Sequence, residues 1–150
     1  VLLDEEYMKV ALEEARIAFS KDEVPVGAVL VYNGEIIARA HNQVETLRDA
    51  SAHAELLCLK EGARILKNWR LLKTTLYTTL EPCSMCAGAL LLSRVEVVVW
   101  GAPDLRQGAG GSWVDLLSKE HPIHNLNIRT GVLADEAARM MKEFFQNKRK

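Results

Sequence analysis

The chain has 150 residues, with 19 Lys+Arg against 20 Asp+Glu and a formal net charge of −1. That length suits one domain with a real core, and the longest purely apolar runs, such as residues 87–92, are far too short for a membrane span. Three cysteines exclude a disulfide scaffold and point to a reducing compartment, and the balanced charge disfavours a generic nucleic-acid binder, which carries a basic excess.

Residues 4–19 read as an amphipathic helix. Asp4 is the expected N-cap, Glu5 and Glu6 complement the helix dipole, and Leu3 with Met8 forms a hydrophobic staple. Tyr7, Ala11, Ala15 and Ala18 supply its apolar face. Pro25 and Gly27 then punctuate the chain. Residues 28–32 and 35–40 are β-rich runs joined by Asn33-Gly34, a pair suited to positive φ at both turn positions and so to a hairpin. Residues 41–51 read as polar and irregular, followed by a helix over 52–66 with Ser51 or Asp49 near its start. A strand over 74–80 stops at Glu81-Pro82, and a helix of small and apolar residues covers 83–93. Residues 95–100 are apolar enough for a strand buried on both faces. A glycine-rich loop (101–112), a short helix (113–117), a short strand (126–130) and a last helix (134–147) complete the chain. The order α-β-β-α-β-α-β-α-β-α predicts an α/β fold: a five-stranded mixed sheet between helical layers, its first pair antiparallel and its later strands parallel. The whole of 1–150 reads as a single domain, and the start at Val1 reads as a trimmed or excised chain.

Cys83 and Cys86 stand three apart in a first helical turn, where side chains point the same way and free N–H groups favour thiolates. Alone, the pair suits a metal, a redox disulfide or an inert site. His53 also begins a helix, and in a parallel arrangement both helix starts open on the same sheet edge. His53, Cys83 and Cys86 then make three zinc ligands, and an open fourth position is the catalytic pattern. Glu55, two residues on, is either an exposed helix carboxylate or a proton shuttle beside an activated water. Cys58, among leucines, reads as a core thiol, and His41, His121 and His124 as local loop histidines.

His53-Ala54-Glu55 with Glu81-Pro82-Cys83-Ser84-Met85-Cys86 resembles the zinc-dependent nucleobase and nucleoside deaminases of the cytidine-deaminase-like fold. Further matches at residues 23–29, Asn42, 79–83, 101–104, 108–112 and Phe144-Phe145 narrow the resemblance to bacterial-type tRNA adenosine deaminases. The resemblance implies a three-layer α/β/α sandwich with one zinc per subunit. The implied reaction converts the wobble adenosine of an arginine tRNA to inosine, with Glu55 as proton shuttle. It also implies that Val24, Pro25, Asn42, Ala54, Asp104, Phe144 and Phe145 meet the anticodon loop, that the enzyme is a homodimer, and that it works in a bacterial cytoplasm or a plastid rather than at a membrane.

Read without it, Val24-Pro25 is a turn before a strand, Asn42 a loop-capping amide and Asp104 a turn aspartate. Helical periodicity puts one of the two phenylalanines in the core and leaves the other to stack on an unpaired base. Pro103, Arg106 and Trp113 depart from the family pattern. A free-base deaminase acting on guanine or cytosine, a non-catalytic zinc-containing RNA-binding subunit and a redox protein are the competing readings. Residues 1–23 carry seven acids and three bases, and 139–150 carry five bases and one acid, so the near-zero total hides a polarised chain.

Overall fold

The structure, a computed structural model, describes residues 2–148. Arg149 and Lys150, the end of the basic tail, lie outside the described residues.

Helix α1 (Leu2–Ser20) precedes a hairpin of β1 (Gly27–Tyr32) and β2 (Glu35–His41). Asn33 (φ 52°) and Gly34 (φ 76°) both adopt the left-handed backbone that the turn requires. A short helix α2 (Val44–Leu47) and the longer α3 (Ala54–Leu66) lead to β3 (Thr74–Leu80). Then come α4 (Ser84–Leu92), β4 (Val97–Ala102), β5 (Asn127–Thr130) and α5 (Ala134–Lys148). The sheet order is β2-β1-β3-β4-β5. β1 is antiparallel to both neighbours, and β3, β4 and β5 run parallel.

Period-two alternation buries both faces of the sheet. Ala28, Leu30, Leu76, Val98 and Trp100 pack with Cys58 and Leu59 of α3 and Ala87 and Leu90 of α4. Val29, Val31, Tyr77 and Val99 pack with Met8, Ala11 and Leu12 of α1 and Ala137 of α5. This is the expected three-layer α/β/α sandwich. β1 lies so close to α1 that a Cβ on Gly27 would stand 2.0 Å from the Ala11 carbonyl oxygen.

The structure corrects four local expectations. α1 is already helical at Leu2, so Asp4 is not its N-cap. The Asp4 carboxylate turns inward instead, accepting hydrogen bonds from the Tyr77 hydroxyl (2.6 Å) and from Arg129 Nε and Nη2 (2.7 and 2.9 Å). Leu3 lies within the helix and is 57% exposed, so the expected staple is not needed to set the start. Asp49 and Ser51 stand just before the start of α3, as expected. The Ser51 N–H and hydroxyl donate to Asp49 Oδ1, and His53 occupies the N-cap position.

The other two corrections concern the 41–51 and 113–117 segments. The first contains α2, because the Glu23 carboxylate caps its start. The second is not a helix: it folds back with a bridge between Gly110 and Asp115. Its backbone bonds run back to the glycine loop, Trp113 N–H to the Gly108 carbonyl and Leu116 N–H to the Ala109 carbonyl, while Leu117 alone of its large side chains is fully buried.

Candidate active site

α3 and α4 begin at the sheet edge where β3 ends, and their N-cap residues are His53 and Cys83. Neither side chain caps its own helix. The two turn toward each other instead: His53 Nδ1 lies 3.5 Å from Cys83 Sγ and 3.6 Å from Cys86 Sγ. Ligand atoms around one tetrahedral zinc stand about 3.5 Å apart, given Zn–N and Zn–S bonds of about 2.0–2.3 Å. The three donor atoms all lie within 4.8 Å of one another, so this donor set fits a metal ion of that kind.

The electrostatics suit a cation. A hydrogen bond from the Cys86 thiol outweighs burial and, with His53, brings the Cys83 thiol down to about 4. The same contact and burial push the Cys86 thiol up. The hydrogen bond with Cys83 raises His53. Burial pushes the Glu55 carboxyl up to about 7, against the opposing pull of its own backbone N–H and His53. Glu55 is only 4% exposed, which disposes of the reading as a solvated helix carboxylate.

A cavity of about 750 Å³ opens above this cluster, within the range of small-molecule sites. Val24, Asn42, Ala54, Asp104, Phe144 and Phe145 of the expected contact set lie on its wall. Pro25 does not: a tight turn, with the Val26 N–H donating to the Val24 carbonyl (2.8 Å), puts Val24 and Val26 on the wall and leaves Pro25 buried off it. Asn42 holds its loop, donating from Nδ2 to the Val24 carbonyl and accepting the Val44 N–H, both at 3.3 Å. Asp104 Oδ1 accepts the N–H groups of Arg106 (3.1 Å) and Gln107 (3.3 Å), as a turn aspartate does.

Phe144 is the buried phenylalanine, packed edge-on against Phe19 and Phe145, and Phe145 is the exposed one. Lys148 reaches across to Asp22 at 2.6 Å.

The remaining histidines and the third cysteine stay away from the cluster. His41 Nδ1 lies 3.1 Å from Glu14, His121 Nδ1 accepts two backbone N–H groups, and His124 Nε2 donates to the Val95 carbonyl. Cys58 is a core thiol pushed up by burial.

Two carboxylates escaped the sequence reading. Glu23 accepts the N–H groups of Glu45 (3.1 Å) and Thr46 (2.6 Å) and the Thr46 hydroxyl (2.7 Å). Burial works to raise this carboxyl, and those donors overcome it and hold it below the usual range. Glu81 accepts the N–H groups of Asp104, Gly110 and Ser112 (3.1, 2.8 and 3.2 Å) and the Ser112 hydroxyl. No local signal marks them, because their donors are 22 to 31 residues away. Each does directly precede a Pro-containing turn at the site, Val24-Pro25 and Pro82.

Comparison with known proteins agrees with this geometry. Residues 3–149 match the MafB19-like deaminase family. The chain is 53% identical to the tRNA-specific adenosine deaminase of Bacillus subtilis, covering 98% of this chain and 91% of that protein. This chain belongs to the tRNA-specific adenosine deaminase family. The deaminase is also 51% identical to the chloroplastic tRNA(adenine(34)) deaminase of Arabidopsis thaliana over 96% of its own length, and spans 12% of that longer protein.

Among solved structures, one from studies of A-to-I editing by tRNA:A34 deaminases at the wobble position superposes with a TM-score of 0.86 at 40% identity. That match covers 90% of this deaminase and 98% of the other chain. A guanine deaminase from Nitrosomonas europaea superposes with a TM-score of 0.82 at 28% identity, covering 93% and 83%. No helix among the described residues is long and apolar enough to cross a membrane.

Proposed function

We propose that this deaminase converts the wobble adenosine of an arginine tRNA with an ACG anticodon to inosine by hydrolysis. The observation that carries the reading is Glu55, buried beside His53, Cys83 and Cys86 at the floor of the cavity. A structural metal site has no use for a buried carboxyl in that place, and a redox pair has no use for His53 or Glu55.

His53 Nδ1 and the Cys83 and Cys86 sulfurs would hold one zinc, which when bound would supply a water of lowered pKa as the nucleophile. Glu55 takes a proton from that water and delivers it to N1 of adenine, which makes C6 electrophilic. As the water oxygen bonds to C6, Glu55 carries the second proton from that oxygen to the 6-amino group, and the C6–N bond breaks to release ammonia. Water and adenosine thus become inosine and ammonia. A carboxyl near 7 suits a group that both takes and returns protons at neutral pH. The first-turn N–H groups at Ala54 and Cys83 stabilise charge that develops on the attacking oxygen.

The base enters flipped against Val24 and Asn42, with Asp104 near the sugar of the nucleotide. Phe145, exposed at the wall, stacks on a neighbouring unpaired base. The enzyme acts as a homodimer in a bacterial cytoplasm or a plastid. A second reading, a free-base deaminase, is favoured by the likeness to the guanine deaminase fold.

The deciding experiment incubates the protein with an ACG anticodon stem-loop, with adenine and with guanine. Sequencing then reads A-to-I change at the wobble position. Inosine in the stem-loop supports the proposal, and faster turnover of either free base overturns it.

A further inference from the structure

The cavity mouth has two walls made of irregular chain. On one side, Val44 and Glu45 of the α2 turn line it, and on the other Asp104, Arg106 and Gln107 do. Neither wall belongs to the five-stranded sheet. Each is tied to the body of the molecule at a buried carboxylate, Glu23 at 1% exposure and Glu81 at 3%. Glu23 receives three donors, all from residues 45 and 46. Glu81 receives four, all from residues 104–112. Ionised carboxylates make the strongest acceptors for backbone N–H groups, and a buried one that loses its donors is strongly disfavoured. The loop and the carboxylate therefore hold each other.

Close packing supports the same reading at Glu81. A Cβ on Gly108 would stand 2.3 Å from Glu81 Cδ, so the loop is fitted to the carboxylate. Gly108 also bridges to Cys83, and the Ala109 N–H donates to the Pro82 carbonyl at 2.8 Å. Both carboxylates lie beside the cavity, but their oxygens are engaged by protein donors, and the deamination steps assign them no proton.

We infer that Glu23 and Glu81 are a pair of positioning residues, Glu23 fixing the 44–46 wall and Glu81 the 104–112 wall in the shape that receives the nucleotides flanking the reacting base. The inference rests on the proposed RNA substrate. It separates the two tasks of the site: Glu55 and its neighbours act on the base, while the anchored walls select the RNA around it.

The test compares Glu23→Gln, Glu81→Gln and the double variant in the full chain. Each single variant is expected to raise KM for the ACG stem-loop roughly tenfold, with kcat and zinc content within about twofold of the parent. The two walls share no partner, so the KM factors are expected to multiply in the double variant. Amide hydrogen exchange adds a local readout: Glu23→Gln exposes the Glu45 and Thr46 amides, and Glu81→Gln those of Asp104, Gly110 and Ser112. Should a Gln variant fail to fold, Thr46→Val and Ser112→Ala remove one donor each and are expected to give the same pattern at smaller size.

A lower melting temperature with unchanged KM would show mere structural support and overturn the inference. So would loss of zinc or of kcat at unchanged KM. Absence of stem-loop turnover in the parent protein sinks the functional reading itself. The exchange pattern then still decides the anchoring, which unchanged exchange in either variant overturns.

Discussion

Glu55 and His53 stand two residues apart at the start of α3, yet removing them has different consequences. His53 supplies one of three donor atoms in the metal cluster, and Glu55 supplies none. Glu55→Ala is therefore expected to keep about one zinc per chain while losing roughly 10²–10⁴-fold in turnover, the usual range for a general acid–base group. Cys86→Ala is expected to lose both. Metal analysis and single-turnover rates on the stem-loop check the pair together, and an active Glu55→Ala protein would end the shuttle role. Spacing at the helix starts puts Cys83 and Cys86 on one side, and the parallel strand order is what brings His53 to them. For Glu55, spacing leaves a solvated carboxylate and a proton shuttle open, and only its burial in the fold separates the two. Pro25 shows where a motif stops being a guide: its neighbours Val24 and Val26 reach the cavity, and the turn between them takes Pro25 off the wall.

At the level of the elements, one local rule succeeds and three long-range ties override local signals. The hairpin is readable because Asn33-Gly34 carries its own turn geometry. α2 and the folded 108–117 segment are not, because Glu23 and Glu81 dictate them from distant points of the chain. Asp4 follows the same logic. It looks like a local cap and is a tie from α1 to β3 and β5, through Tyr77 and Arg129.

The hydrogen bond from Arg129, working against burial and helped by Tyr77, holds the Asp4 carboxyl below its ordinary value. A carboxyl lowered in the folded state adds stability that is complete above the ordinary value of 3.8 and is lost as pH falls through the lower, folded one. Asp4→Asn is expected to cost roughly 1–3 kcal/mol at pH 7. The gap between parent and variant should narrow as pH falls below 3.8 and on through the lower, folded value in denaturant titrations. A gap that stays constant to pH 2 would show that the charge is not what counts.

Gly27 makes a steric prediction at the same scale. Gly27→Ala forces β1 away from the Ala11 carbonyl, at a cost of about 3 kcal/mol or more, read as a lower denaturation midpoint.

Across the whole molecule, the charge balance takes on a different meaning once the ends of the chain are placed. The acidic first segment and the basic last helix meet at the cavity, where Lys148 pairs with Asp22. The cationic Lys and Arg side chains on the described cavity wall are Lys21, Arg106 and Lys148, and one of them is already neutralised by a carboxylate. On the proposed function, so few free cations at the cavity are expected to leave shape, stacking and base flipping, rather than a field of phosphates, to hold the RNA. The salt dependence of binding measures that directly. With Lys148 exchanging Asp22 for a phosphate, the three cations correspond to a slope of about −2 in log K against log salt, since each neutralised phosphate contributes roughly −0.7 on single strands. Titrating stem-loop affinity of the Glu55→Ala protein between about 50 and 200 mM salt is expected to give a slope near that value, hence a loss of only about 16-fold. A slope of about −5 or steeper would mean that the grip is electrostatic and extends well beyond the cavity, and the small net charge would then be no guide to how this surface meets RNA.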